Sequence, residues 1–434
     1  MSYPILVLFG SFAVLMAIGV PIAFAIGSAA TLTFFLFMSF EQSIFVVAQQ
    51  MASGLDSFTL LAIPFFILAG NIMNRGGIAM RLIDFAKILA GRLPGALAHC
   101  NVIANMLFGA ISGSAVASAA AVGGVMAPLQ EREGYDRGYS AAVNIASSPT
   151  GLLIPPSATL IVYSLITGGT SIAALFVAGY LPGLLMGAGL MIVAGIIAKR
   201  RGYPVSPRPS LGEAARAARD AILPLGLIVV IMGGIISGIF TATEASAAAV
   251  IYSLVLALVW YREISLRDLP GIVMESAVTT SVVLLMIGAS IAMSRAMAFG
   301  LIPNTISEVL LGLSDNPLAI LLAINITLLL IGTFMDMTPA LLIFTPIFLP
   351  VVQDLGMDPV HFGIVMTFNL CIGICTPPVG SALFVGCSVG GTSIAKVIRP
   401  LLPLYAVLMV LLLVVTYVPE ISLFLPRLLL GYGS

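Results

Sequence analysis

The chain has 434 residues, 60% of them hydrophobic and 8% charged, and its formal net charge is zero. A soluble domain carries about a quarter charged residues, so a water-soluble protein is excluded, and a neutral chain offers nucleic acid no basic surface. At about 20 apolar residues per crossing, there is room for about ten membrane spans or more.

The first apolar run reaches from Met1 to about Phe40 without a basic residue. It is too long for a secretory signal and reads as one or two retained spans. Further runs occupy 58–74, 94–129, 140–167 and 172–198, then 221–260, 272–303, 317–351, 360–389 and 400–425. Between the two groups lies the most hydrophilic stretch, Lys199 to Asp220, with Lys199, Arg200, Arg201, Arg208, Arg216 and Arg219 against Glu213 and Asp220. Such a basic loop marks the cytoplasmic side. The short segments 78–92 and 262–270 are amphipathic enough to lie along the interface.

The chain repeats itself. Gly168-Gly169-Thr170-Ser171-Ile172-Ala173 recurs unchanged as Gly390-Gly391-Thr392-Ser393-Ile394-Ala395, a shift of 222 residues from 168 to 390. The same shift carries Pro155-Pro156 onto Pro377-Pro378, Gly151 onto Gly373, Pro128 onto Pro350, Gly134 onto Gly356 and Asp136 onto Asp358. Met73-Asn74-Arg75 resembles Met293-Ser294-Arg295 at a shift of 220. Repeated Gly- and Pro-broken apolar segments are the mark of a secondary transporter with its site at the repeat interface.

Each double proline removes two backbone donors and disfavours helix before it. The breaks at Pro155 and Pro377 must therefore be buried or line a cavity, because lipid cannot satisfy the freed carbonyls. Around them lie Ser147-Ser148-Pro149-Thr150-Gly151 and Ser157 in one repeat, and Thr376, Val379-Gly380 and Ser381 in the other. The small-residue stretch with Ser112, Gly113 and Ser114 is either a helix-packing face or a source of hydroxyl and carbonyl oxygens for Na⁺. Its counterpart carries Asp336, at the position of Ser114, with Thr338 close by. A carboxylate in a bilayer is costly unless paired or coordinated, so Asp336 is a cation ligand or a cap for backbone donors. Glu244 reads as a helix-start residue with Thr243 as cap. The amides Asn105, Asn144, Asn325 and Asn369 clamp backbone or touch solute. Arg75 and Arg295 attract an anion or snorkel at helix ends. His99 and His361 read as interfacial. Cys100, Cys371, Cys375 and Cys387 lie in apolar runs and read as small buried side chains. No phosphate loop, catalytic triad or metal-ligand cluster is present in the sequence, which excludes an ATP-driven engine and gives no sign of an enzyme.

Several motifs in order resemble the large membrane (permease) subunit of TRAP transporters, the tripartite ATP-independent periplasmic systems. They are Leu61-Ala62-Ile63-Pro64-Phe65-Phe66-Ile67-Leu68-Ala69-Gly70, Phe108-Gly109-Ala110-Ile111-Ser112-Gly113-Ser114-Ala115, Ile154-Pro155-Pro156-Ser157 and Cys375-Thr376-Pro377-Pro378-Val379-Gly380, with Thr243-Glu244-Ala245 and Asp358-Pro359-Val360-His361-Phe362-Gly363 fitting the same pattern. The resemblance implies an all-α polytopic protein of the bacterial inner membrane, an elevator-type carrier with two repeats, inverted in topology. Scaffold helices would occupy 1–60, the first repeat 61–198 (hairpin 105–128, broken helix 140–167), a cytoplasmic loop 199–220 and scaffold helices 221–279. The second repeat would occupy 280–403 (hairpin 325–350, broken helix 360–389) and a C-terminal helix 404–434.

The resemblance further implies Na⁺ as coupling ion. One ion would fall to Ser112, Gly113 and Ser114 with Gly151 and Pro155, the other to Asp336 and Thr338 with Thr376 and Gly380. Asn144, Ser157, Asn369, Pro377 and Ser381 are the substrate candidates. The expected partners are a periplasmic solute-binding protein, a small four-helix membrane subunit, and an organic-acid solute. The run Thr333-Phe334-Met335-Asp336-Met337-Thr338-Pro339, with Cys371, Cys375 and Cys387, leans toward the sugar-acid branch over the C4-dicarboxylates. A receptor-independent anion permease of similar fold is the alternative.

Overall fold

A computed structural model describes residues 2–91, 93–205, 210–314 and 316–433, and among these it contains helices and no strand. Residues 206–209 of the basic loop, Arg208 included, lie outside the described residues. Among the described residues seven helices are long and apolar enough to cross a membrane, and a bent pair, Arg137–Leu153 with Ala158–Ile166 at 52°, makes an eighth if it is one span. Their outer faces carry exposed apolar side chains such as Val229, Ile251, Val259 and Trp260. In a bilayer these meet acyl chains at no cost.

Helix ends gather on two faces. Arg81 pairs with Glu263 at 3.0 Å and stacks on Tyr261, 3.7 Å from its ring centre. Tyr261 in turn donates to the Asp220 carbonyl at 2.9 Å, and Arg201 reaches Asp136 at 3.5 Å. These contacts define a basic face, to which the segment after Arg75 and the turn at 261–268 both belong. The loops at 57–59, 168–173 and 238–243 meet around one cavity at the opposite face.

The first hairpin has arms Ala96–Ser112 and Ala115–Arg132; the second has Pro317–Gly332 and Met337–Asp354. Both hairpins reach beyond the bounds read from the sequence, 105–128 and 325–350, because their first arms begin about two turns earlier and their second arms end about one turn later. The first broken helix comprises Arg137–Ser147, Thr150–Leu153 and, past the prolines, Ala158–Ile166; the second comprises Pro359–Gly373 and Ser381–Val389. Both Pro-Pro bonds, 155–156 and 377–378, are cis.

The turns that launch the broken helices repeat as the sequence does. Gly134 and Gly356 both sit at φ near +80°, where only glycine is unstrained. Asp136 then caps Tyr139 N at 2.8 Å, and Asp358 caps Val360 N at 2.7 Å. The two broken helices cross with residues of one repeat meeting the other. Cys375 Sγ lies 3.1 Å from the Ile145 carbonyl, Cys371 Sγ lies 3.5 Å from Pro149 O, and Tyr163 donates to Pro359 O at 2.7 Å. As one chain position climbs, its partner falls, so the equivalent helices run antiparallel. The repeats are therefore inverted, and the hairpins enter from opposite faces.

Some expected boundaries shift. The division at 279/280 falls inside one continuous helix, Leu269–Phe299, and that at 403/404 inside Ile394–Tyr417, followed by Glu420–Leu430. Glu244 closes a capping box with Thr241 rather than Thr243, at 2.8 Å from Thr241 N. His99 and His361 are buried, and His361 Nε2 lies 3.2 Å from Thr416 O. The four cysteines are free and buried.

Each hairpin meets its broken helix glycine to glycine. A Cβ at Gly151 would lie 2.2 Å from the Gly109 backbone, and one at Gly373 would lie 2.6 Å from Gly332 Cα. Gly151→Ala should therefore lower the thermal midpoint in detergent, by an overpacking cost of about 1–3 kcal/mol. Gly124→Ala, whose Cβ would meet only Val389 at 4.0 Å, should leave the midpoint unchanged or raise it. Equal midpoints for both variants would contradict the close packing.

Candidate functional site

The hairpin tips are built differently. Gly113 takes φ +63° and reverses the chain, and Ser114 then caps Ala117 N at 3.2 Å. Asp336 stands at the equivalent helix start with an extended backbone but makes no cap. Its carboxylate instead accepts a hydrogen bond from Ser381 Oγ at 3.1 Å. Val379 N donates to Thr333 O at 3.1 Å, so the second tip is fastened to the Pro377-Pro378 break by backbone and side chain together. The carbonyl oxygens of Ile374 and Thr376 lie 2.9 and 2.8 Å from where a Cβ would stand on Gly380.

The two tips and both breaks converge on one cavity of about 580 Å³, within the range of small-molecule sites. Ser112, Gly113, Ser114, Asp336, Thr338 and Ser381 line it, with Pro156 and Ile374 from the breaks. Gly151, Pro155, Ser157 and Gly380 are not among the lining residues but are next to one in the chain, and Thr376 and Pro377 stand further back in the second break. Ser157 Oγ is buried without a hydrogen-bond partner.

Asn144 and Asn369 lie elsewhere, in clamps between hairpin and broken helix. Asn105 donates to Asn144 Oδ1 at 3.0 Å and to Ser147 Oγ at 2.8 Å, and accepts from Ser118 Oγ at 2.7 Å. In the second repeat Asn369 donates to Asn325 Oδ1 at 2.8 Å, and Asn325 donates to Thr416 Oγ1 at 3.1 Å. Buried amides so engaged fix one arrangement of the helices.

The sequence reading missed the opposite wall. It comes from the helices Ala62–Arg75 and Leu269–Phe299 and includes Gly70, Asn71, Asn74, Glu275 and Thr279. Gly70 lets the first tip approach: a Cβ there would lie 3.0 Å from the Ser112 carbonyl. Glu275 forms a 2.6 Å ion pair with Arg75, both half exposed at the basic face, so the cavity reaches that face. Glu275 is an acid within an apolar run, the signal that singled out Asp336, and could have been found the same way. Among the described lining residues there are two carboxylates, Asp336 and Glu275, and no basic side chain.

Residues 9–421 match the family model described as tripartite ATP-independent periplasmic transporter, DctM component. The chain belongs to this family. Family membership and the apolar helices make it a multi-pass membrane permease. It is 59% identical to YgiK of Salmonella typhimurium over 98% of each chain. It is 40% identical to the sialic acid TRAP transporter large permease protein SiaM of Vibrio cholerae, covering 98% of this chain and 99% of that one. To the C4-dicarboxylate TRAP transporter large permease protein DctM of Pseudomonas aeruginosa it is 42% identical over 93% and 94% of the two. The fold is similar to that of the Alcanivorax borkumensis YdaH transporter, with TM-score 0.63, 12% identity, and coverage of 91% of this chain and 89% of that one.

For a DctM-family permease, the amide clamps predict which residues hold shape. Asn105→Ala should raise hydrogen exchange across the first hairpin and destabilise it by about 1–3 kcal/mol, the cost of stranding buried partners. Thr338→Ala, in the cavity wall, should leave both exchange and midpoint unchanged. Undisturbed exchange in Asn105→Ala would remove the clamp.

Proposed function

We propose that this chain is the carrier of a Na⁺-coupled importer for a carboxylate solute, delivered by a periplasmic binding protein. The observation that carries the proposal is the cavity's charge. An anionic solute would enter beside Asp336, whose carboxylate has no cationic partner among the described residues, while Glu275 is already paired with Arg75 and no basic side chain lines the wall, so a cation must enter with it. The chemistry around the cavity suits Na⁺, a hard cation that takes hydroxyl and carbonyl oxygens. No group of three or more His, Cys, Asp or Glu that could hold a metal occurs among the described residues.

One ion would sit with Ser112, Gly113 and Ser114 beside Gly151 and Pro155. The other would sit with Asp336 and Thr338 beside Thr376 and Gly380, where the Ile374 and Thr376 carbonyls crowd together. The solute would lie between them, with Ser381, Ser157 and Pro377 nearby.

In the proposed cycle, the hairpins and broken helices form a body that slides along the scaffold helices as an elevator. The basic face is cytoplasmic by its charge, so the cavity stands open to the cytoplasm. The names of the relatives extend to sialic acid and to C4-dicarboxylates, and the solute is proposed as an organic acid. The lean toward sugar acids loses part of its support, because Cys371 and Cys375 are enclosed where the broken helices cross. The relatives called large permease protein support a separate small membrane subunit as partner. Assembly takes place in the bacterial inner membrane.

Uptake of labelled organic acids into proteoliposomes carrying this chain and its small subunit tests the proposal. Transport should require both receptor and an inward Na⁺ gradient; transport without receptor would make the chain an independent anion permease. Asp336→Ala and Ser114→Ala should each raise the Na⁺ concentration for half-maximal uptake about tenfold, as loss of one charge-assisted ligand implies, while membrane insertion persists. Unchanged Na⁺ dependence in both would dispose of the ion sites.

A further inference from the structure

A second cavity, of about 430 Å³, lies at the opposite face between the same scaffold helix and the mobile body's helices. Its scaffold wall is Ser290, Ile291, Ser294 and Arg295 of Leu269–Phe299, and across from them stand Leu165 and Leu342. At the repeat shift of 220, Gly70, Asn71 and Asn74 of the first cavity become Ser290, Ile291 and Ser294; at 222, Ala120 becomes Leu342. The two cavities are therefore the two repeat-related mouths of one seam. Glu275 at the first and Arg295 at the second are 20 positions apart on one helix, about 30 Å at 1.5 Å per residue.

Their chemistry differs where their geometry agrees. Arg75 is neutralised by Glu275 at 2.6 Å. Arg295, its repeat counterpart, has no ion-pair partner among the described residues and lies 5.6 Å from the Phe299 ring. Ser290 Oγ is 3% exposed at the residue level and lacks a hydrogen-bond partner. A lone guanidinium beside an unused buried hydroxyl is a receiver for a carboxylate.

We infer that Arg295, with Ser290 and Ser294, is the scaffold's anion-receiving element at the loading mouth, and that Glu275 silences the equivalent Arg75 at the release mouth. This rests on the carrier reading above. The charge difference makes the two mouths unequal in affinity: the solute's carboxylate meets a free cation on entry and a neutralised one on exit.

The test uses the complete transporter in proteoliposomes, with receptor and Na⁺ gradient. Arg295→Gln should raise the apparent KM for the solute–receptor complex about tenfold with the maximal rate nearly kept, the loss of one charge-assisted contact. Arg295→Lys should recover most of the affinity. Glu275→Gln, which frees Arg75, should instead lower the maximal rate and leave KM within twofold. An unchanged KM in Arg295→Gln overturns the inference. So does a KM effect that vanishes when anionic lipids are replaced by zwitterionic ones, which would give Arg295 to an anionic lipid headgroup. A fall in thermal midpoint shared by Arg295→Gln and Arg295→Lys would make the residue structural. Failure of the unsubstituted transporter to import any organic acid would count against the carrier reading instead.

Discussion

Lipid offers no hydrogen bond to a free carbonyl, and the architecture follows from where this chain puts the ones it frees. The second break shows how. The Ile372 carbonyl is taken by Thr376 Oγ1 at 2.7 Å, that of Gly373 by Thr376 N at 2.8 Å and that of Ile374 by Ala382 N at 3.1 Å. Tyr405 from the neighbouring long helix covers the Cys375 carbonyl. In the first repeat the Leu153 carbonyl points at Gly179, where a Cβ would lie only 2.1 Å away. Each break is thus enclosed by protein on one side and opens to the cavity on the other. Irregular backbone is affordable there and nowhere nearer the acyl chains.

That requirement explains the polar clamps. A broken helix has no continuous ladder, so its segments are held by side chains from the neighbouring hairpin. Asn105 with Asn144 and Ser147 fixes the half before the break to the hairpin in one repeat, and Asn325 with Asn369 does so in the other. Each clamp lies on the hairpin side of the break, and each hairpin is drawn against its broken helix by a glycine pair. Hairpins and broken helices therefore form one well-bonded body. Its contact with the scaffold wall relies on Gly70 and on a water-accessible seam.

Much of this was legible in the sequence because symmetry repeats its punctuation. Pro155-Pro156 and Pro377-Pro378, Gly134 and Gly356, and Asp136 and Asp358 each announce a backbone event that physics ties to the residue type. The matched spacing then places the two halves on each other. The tips were legible for the same reason: Gly113 and Asp336 stand where an apolar run reverses. The scaffold wall was not, because Asn71, Asn74 and Thr279 lie on uninterrupted helices whose inward face is decided only by packing. The asparagine clamps were visible as polar residues in apolar runs, yet their partners are 39 and 44 positions away, beyond any local pattern. The first arms begin earlier than expected, at Ala96 and Pro317, because each helix fills its continuous apolar run from near the start.

The same accounting bears on coupling. Asp336 caps no helix, and Ser381 is its one hydrogen-bonding side chain, so its charge is available to a ligand while it faces water. In the proposed cycle the tip must cross the membrane's low-dielectric interior with the moving body. An unneutralised carboxylate raises the barrier to that movement by several kcal/mol. A bound cation lowers it, and a carboxylate solute added without a cation raises it again, because two negative charges would then share one cavity. The states that cross readily are those in which cations outnumber or balance the solute's charge. On this proposal obligatory coupling would need no separate lock: it would follow from placing an acid, and no base, on the wall proposed to travel.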